Sequence, residues 1–223
     1  MDYYKISRDL RKEVIGNSTF QIGDLVTTLP YEQWGSKDPK NLRNLNNYNF
    51  ILDSFAVKKG AKLTDYIGIF GPYGRCRMIS QRLYDIIIQF NIADHDFFKT
   101  TLLKNDEVIN GFGILRWREQ FADKFADYNK TSYGVKAIGK PPDEVLDVKS
   151  FKELMSLRNT PRGTRTVTPI KLILQSNFDL DIFPLFLGTS WYASEQLKKR
   201  IEYEGLTGML FEPTNLISRL DKD

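Results

Sequence analysis

Trp191-Tyr192-Ala193-Ser194-Glu195-Gln196-Leu197, running on through Ile201 to Gly205-Leu206-Thr207-Gly208-Met209-Leu210-Phe211-Glu212-Pro213, reads as one complete supersecondary unit. Ser194 is placed to cap a helix, its hydroxyl accepting from a backbone N–H of the first turn. Leu197, Ile201 and Tyr203 supply an apolar stripe, while Glu195, Lys198, Lys199, Arg200, Glu202 and Glu204 face water. Gly205 stands where a helix ends on a left-handed residue, and Leu206 can fold back on the last turn as in a Schellman motif. Met209-Leu210-Phe211 then predicts a short strand, stopped by Pro213. The unit is capped helix, tight turn, strand. It is a fold signal and holds no catalytic group.

The same pattern occurs once more upstream. Ser80, Leu83, Ile87, Asn91, Ile92 and Phe97 match Ser194, Leu197, Ile201, Gly205, Leu206 and Phe211 position for position. Asn is the second choice for a left-handed cap, so Asn91 in the place of Gly205 is a physically sensible exchange. Either the chain carries an internal duplication, or two capped amphipathic helices happen to be followed by strands. Two copies are too few for a solenoid, which needs at least about three.

With 223 residues the chain suffices for one large domain or two small ones. Fifteen Phe and eleven Tyr favour strands and bulky cores. A net charge of +4 is mild, and a dedicated nucleic-acid binder concentrates more positive charge than this on one face. The single cysteine, Cys76, excludes an intramolecular disulfide and fits a reducing compartment. Met1-Asp2-Tyr3-Tyr4-Lys5 enters directly into alternation, without a basic segment before an apolar one. The densest apolar run, residues 182–187, is too short to span a bilayer. A cytoplasmic protein with no membrane partner is expected.

Along the chain, strands are predicted at residues 3–6, 20–29, 50–57, 67–70, 97–103, 112–117, 170–174 and 209–211. Residues 31–49 read as an irregular surface segment, with Trp34 as its anchor or an exposed contact. Helices are expected at residues 81–90, 118–127, 149–157 and after Ser194. Lys104-Asn105-Asp106-Glu107 reads as a hairpin turn. Residues 134–147, with Pro141-Pro142, are the best linker candidate, dividing a single α+β domain (residues 1–223) into possible lobes of 1–135 and 145–223. Mixed strands and helices without regular βαβ spacing give α+β, with a mixed or antiparallel sheet.

Candidate chemistry is sparse. His95, the only histidine, lies in Asp94-His95-Asp96 and reads as a surface turn, with a metal or catalytic role as the alternative. Alternation places Cys76 inside and its neighbours Arg75 and Arg77 outside; exposure of all three would instead lower the thiol pKa. Gly71-Pro72-Tyr73-Gly74-Arg75 lacks the Lys-Ser/Thr end of a P-loop. Arg158, Arg162 and Arg165 form a basic loop suited to phosphates, to an acidic protein patch, or merely to solvent. Asp179 and Asp181 share one strand face, which alone proves nothing. No catalytic set, metal cluster or cofactor is expected. The candidates for partner binding are Trp34, Arg75, Arg77, Arg158, Arg162 and Arg165, and the caps are Ser80, Asn91, Ser194 and Gly205.

Trp191-x-x-Ser194-Glu195-x-Leu197, followed by Leu206-Thr207-Gly208-x-x-Phe211-x-Pro213, resembles the C-terminal signature of a bacterial family of immunity proteins from polymorphic toxin systems. Asp181-Ile182-Phe183 is similar to the family's approach to that tryptophan. Ile79-Ser80-Gln81-Arg82-Leu83 with Asn91-Ile92 resembles its middle segment, and Tyr3-Tyr4-Lys5-Ile6 its start. The resemblance covers roughly a third of the chain. It implies a protein without enzymatic activity or cofactor that binds a cognate toxin domain and occludes its active site through aromatic and arginine anchors. The competing expectation is an RNA- or phosphate-binding module using Arg75, Arg77, Arg158, Arg162 and Arg165 in one groove. A small carboxylate enzyme is the third.

Overall fold

The computed structural model describes residues 2–18, 21–26, 54–67, 76–118, 121–137, 139–159, 165–186 and 190–220. In chain order these hold β1 (Tyr3–Arg8), α1 (Lys12–Ile15), β2 (Ile22–Val26), β3 (Ser54–Val57), β4 (Tyr66–Ile67), β5 (Cys76–Ser80), α2 (Gln81–Ile87), β6 (His95–Lys104) and β7 (Glu107–Trp117). After a 3-10 turn at Ala122–Phe125 come β8 (Ser132–Ala137), β9 (Glu144–Leu146), α3 (Phe151–Asn159), β10 (Arg165–Leu174), β11 (Ile182–Pro184), β12 (Trp191–Ser194), α4 (Glu195–Tyr203), β13 (Met209–Pro213) and β14 (Ile217–Arg219). The fold is α+β and mostly sheet. Among the described residues, three sheets run in the orders β11-β12-β1-β13, β14-β10-β8-β9 and β2-β3-β6-β7-β5-β4, with both antiparallel and parallel pairings.

The two helices are capped alike at their starts. Ser80 and Ser194 both sit in extended backbone, and each hydroxyl accepts from the N–H three residues on, Leu83 at 3.0 Å and Leu197 at 3.3 Å. Leu83, Ile86 and Ile87 of α2 and Leu197 and Ile201 of α4 are buried, whereas Tyr203 lies 84% exposed, outside the stripe. Helix α4 ends in a Schellman motif: Gly205 has φ +65°, its N–H reaches the Glu202 carbonyl, and the Leu206 N–H reaches that of Ile201. Asn91 does not repeat this. It has no positive φ, α2 ends at Ile88 in right-handed geometry, and the Asn91 N–H goes to an Asp181 carboxylate oxygen at 3.1 Å. A side-chain acceptor from elsewhere in the fold serves the chain after α2, so no left-handed residue is needed there.

The strand registers of the two stretches coincide as well, through antiparallel pairings. Strand β4 opposes β5 with Tyr66 facing Ile79, as β11 opposes β12 with Ile182 facing Ala193. On the far side, β5 pairs with β7 and β12 with β1, so that Arg77 faces Leu115 and Trp191 faces Ile6. Beyond those central strands lie β6 and β13, where Phe97 again faces Leu115 and Phe211 faces Ile6. Residues matched in this way, from Arg77 with Trp191 to Lys99 with Pro213, keep one constant sequence offset. In one arrangement the central strand is β7, delivered by a hairpin turn at Asn105 (φ 50°) and Asp106 (φ 68°). In the other it is β1, from the beginning of the sequence.

Both arrangements touch along their edges. The Tyr66 N–H donates to the Thr207 carbonyl, and the Ala93 N–H to that of Ile182. Their facing surfaces form the main core, in which Tyr66, Ile79, Leu115 and Trp117 pack with Ile6, Trp191, Ala193 and the buried residues of α2 and α4. A second core, including Cys76, Met78, Leu102 and Ile114, lies on the other face of the six-stranded sheet. Phe121, Tyr133, Val148, Leu154, Val167 and Phe186 make a third, beneath α3.

Two sequence expectations are corrected here. The helix expected to reach residue 127 is only the 3-10 turn, because Phe121, Ala122 and Asp123 are buried at once and Ala126 then extends to bridge Leu174. The linker candidate is no linker: β8 and β9 pair through Tyr133 with Leu146 and Val135 with Glu144, so Pro141-Pro142 lie in a hairpin connection. The main core takes residues from both sides of that hairpin.

Candidate functional site

Of the sequence-derived partner-binding residues, only Arg77 and Arg165 have described side chains. Trp34, Arg75 and Arg162 lie outside the described residues, and of Arg158 only the backbone, at the end of α3, is described. Arg165 is the second correction of a loop to a strand: it begins β10 and ion-pairs with Asp143 and, at 3.6 Å, with Glu144. Arg77 lies in a different sheet, the six-stranded one.

Strand alternation places Arg77 in water and Cys76 inside; Cys76 is buried, yet Arg77 is half-buried as well. Strand β5 is covered on both faces, so alternation moves Arg77 from one core to the other rather than out to solvent. Its guanidinium carbon lies 5.8 Å from the centre of the Trp191 ring. Its Nε donates to the Tyr66 hydroxyl at 3.0 Å, and a terminal nitrogen donates to the Cys76 carbonyl at 2.7 Å. Trp191 meets Trp117 edge to face at 4.8 Å between centroids, and Tyr66 in the same manner at 5.7 Å. Arg8, the residue after Ser7 on the central strand β1, joins this group. Burial lowers its pKa from the ordinary arginine value, the Tyr66 hydroxyl opposes that, and the Arg77 charge adds to it.

His95 is no surface turn either. It opens β6, half-buried and edge-on to Trp117 at 6.3 Å. Its Nδ1 lies 3.0 Å from the Ala93 carbonyl, which can only accept, so Nδ1 donates there, and Nε2 lies 3.3 Å from the Tyr84 hydroxyl. Tyr84 in turn stacks on Phe97 at 3.9 Å. The histidine is a packing and hydrogen-bonding piece of the core rim.

Asp179 and Asp181 have structural partners. The Asp181 carboxylate accepts from the Ser194 hydroxyl and from the Asn91 N–H, and the Asp179 carbonyl accepts from the Asn91 amide. A carboxylate that sequence reasoning passed over is Asp123, fully buried between the 3-10 turn and the third core. It accepts from the Phe186 N–H at 2.6 Å and from the Tyr133 hydroxyl at 3.1 Å. Burial raises its pKa above the usual carboxylate range, although both of those hydrogen bonds favour the charged form. The one available signal was its place between Phe121-Ala122 and Phe125-Ala126 in an apolar run. Among the described residues no cluster of His, Cys, Asp and Glu is arranged to hold a metal ion, and no helix is long and apolar enough to cross a membrane.

No protein-family model matches the chain, and no curated protein matches it.

Proposed function

We propose that this chain is an immunity protein, which binds a cognate bacterial toxin domain in the cytoplasm and neutralises it by covering its active site. The observation that carries this reading is the physical role of the signature stretch. Trp191 is buried at the meeting of the two arrangements, Ser194 caps α4, Gly205 closes it, and Phe211 opposes Ile6. Gly208 (φ +91°) lets the chain pass where a Cβ would come within 2.4 Å of the Tyr66 carbonyl oxygen. Such residues specify a scaffold. A stoichiometric inhibitor needs a rigid scaffold and a freely varying surface, and asks nothing catalytic of either.

The RNA- or phosphate-binding module is the weaker reading, since Arg165 is engaged with acidic residues and Arg77 with Tyr66 and Trp191. We further infer that the two capped helix–turn–strand units are copies of one ancestral unit. Their common strand registers at a constant offset support this, as does the repetition of the Asp–Ser cap described below.

The test is capture followed by protection. The tagged protein is used to capture partners from nuclease-treated lysate of its own organism, and the C-terminal domain of any large polypeptide retained is expressed in a naive host. Cells co-expressing this chain should survive the domain that kills cells without it. Equal killing in both would overturn the immunity reading, and retention of nucleic acid alone would favour the basic module.

A further inference from the structure

The common register of the two helix units extends outward through their sheets. Beyond the stretch already matched, β6 runs on to pair with β3 in parallel, Leu103 facing Ala56. At the same offset Ile217 of β14 faces Leu172 of β10, again in parallel. The break between β13 and β14 begins after Pro213, which matches Lys99, and β6 slips its register just there, between Thr100 and Leu102. Farther out, β3 pairs antiparallel with β2 and β10 antiparallel with β8, each with a register slip of its own. The order β2-β3-β6-β7-β5-β4 therefore recurs as β8-β10, then β14 with β13, then β1-β12-β11, every pairing in the same sense. Strand β9 is added at the outer edge of β8.

One strand of the repeat is out of chain order. In the first unit β7 follows β6 through the Asn105–Asp106 turn, whereas in the second its place is held by β1, which precedes both units in the sequence. The match is residue by residue. Phe112 faces Ser80 as Tyr3 faces Ser194, and Gly113 lies between Ile79 and Lys99 as Tyr4 lies between Ala193 and Pro213. Leu115 and Ile6 are both buried at the centre of their sheets. Without β1, both β12 and β13 would present open rows of N–H and C=O groups. Any apolar strand could fill such a slot, and side-chain alternation would accept it at any shift of two residues. Alternation therefore does not explain why β1 sits at the shift that β7 takes. We infer that the molecule is a complete tandem repeat, in which β1 is the closing strand of the second unit, displaced to a place ahead of the first. The inference extends the duplication proposed for the helical units and is independent of the toxin reading. It makes β1 and β7 equivalent strands that differ only in how the chain delivers them.

The test is circular permutation of the full chain. Residue 223 is joined directly to residue 1, the spacing at which the offset continues from β14 into β1, and the chain is opened between Asn105 and Asp106. Strand β1 then follows β14 as β7 now follows β6, and β7 becomes the strand that must wait for distant partners. A second permutant has the same join but is opened between Gly139 and Lys140, in the β8–β9 connection, so that both closing strands arrive locally. Each should unfold cooperatively in urea with a midpoint within about 0.5 M of wild type. Refolding followed by pulsed hydrogen exchange separates the three chains. Amides of β7 should be protected before those of β1 in wild type, after them in the first permutant, and together with them in the second. An order that does not change with the join would overturn the inference, as would a first permutant that fails to fold while the second folds. If neither folds, β1 does not continue the second unit in register, and the inference falls. Any of these failures leaves the match of the two helical units, and the toxin reading, as they stand.

Discussion

Asp123 shows how a single residue can set a protein's response to pH. Its folded pKa is raised by burial, so the unfolded chain gives up its proton first as pH rises. Stability contributed by the neutral acid is complete below the unfolded value of about 3.9 and declines as pH climbs toward the raised folded value. Other carboxylates act in the opposite sense. Burial alone would raise Asp96, but hydrogen bonds from Arg118 and Arg116 outweigh it, so its contribution is present above the unfolded pKa and is lost as pH falls through the lowered folded one. Whole-protein curves mix these signs, and the difference between two proteins separates them. Asp123→Asn retains an acceptor for the Phe186 N–H and cannot ionise. In urea melts from pH 4 to pH 8, wild type should lose stability relative to this variant as pH rises; a constant difference would remove the titration from Asp123. The serines act at this scale too. Ser194→Ala removes an acceptor for the Leu197 N–H and a donor to Asp181, and should cost about 1–3 kcal/mol in a denaturant melt. A cost near zero would mean that water caps α4 equally well.

Among the elements, β1 carries the largest consequence for its length. Six residues from the start of the sequence fill the centre of the sheet that also holds β12 and β13, pairing on both sides. Its counterpart β7 arrives by hairpin, a local event, while β1 must wait for partners roughly the whole sequence away. Ser7→Pro takes a ladder hydrogen bond from that central position. It should cost about 3 kcal/mol, the upper range for one substitution, against little for Asn110→Pro in the exposed part of β7. Comparable midpoints for the two in urea would demote β1 to an edge role. Much of this level was legible in the sequence. Ser-x-x-Leu spacing, Gly205 and the Asn105-Asp106 turn act over three or four residues, so the helices and the hairpin follow from local physics. What escaped was set by distant partners. Residues 134–147 resemble a linker until β10 supplies the opposite face, and Arg77 alternates as an exposed residue until the main core covers that face of β5. The junction of Arg77, Trp117 and Trp191 comes from three separated segments, and no spacing announces it.

For the whole molecule, the question is whether the two arrangements stand or fall together, and two aspartates answer it. Asp65 precedes the first unit and accepts from the Ser80 hydroxyl at 2.7 Å, while its own carbonyl accepts from the Ser80 N–H. Its second carboxylate oxygen reaches across to the Thr207 N–H at 2.9 Å and hydroxyl at 3.2 Å, in the turn that follows α4. Asp181 does the converse: it holds Ser194 by hydroxyl and N–H, and reaches across to the Asn91 N–H beyond α2. Each unit's carboxylate thus fixes the start of its own helix and the chain beyond the other's. Two bodies merely touching would lack this exchange, and a cut in one would leave the other's amides protected. With it, Asp65→Asn should cost about 1–3 kcal/mol and open two separated places at once, the first turn of α2 and residues 205–208. Asp181→Asn should open the first turn of α4 together with residues 88–93. Native-state hydrogen exchange read by mass spectrometry resolves these four segments. Loss confined to each variant's own helix would show that the units are coupled only through their buried side chains, since the crossed bonds would then be contributing nothing that packing does not.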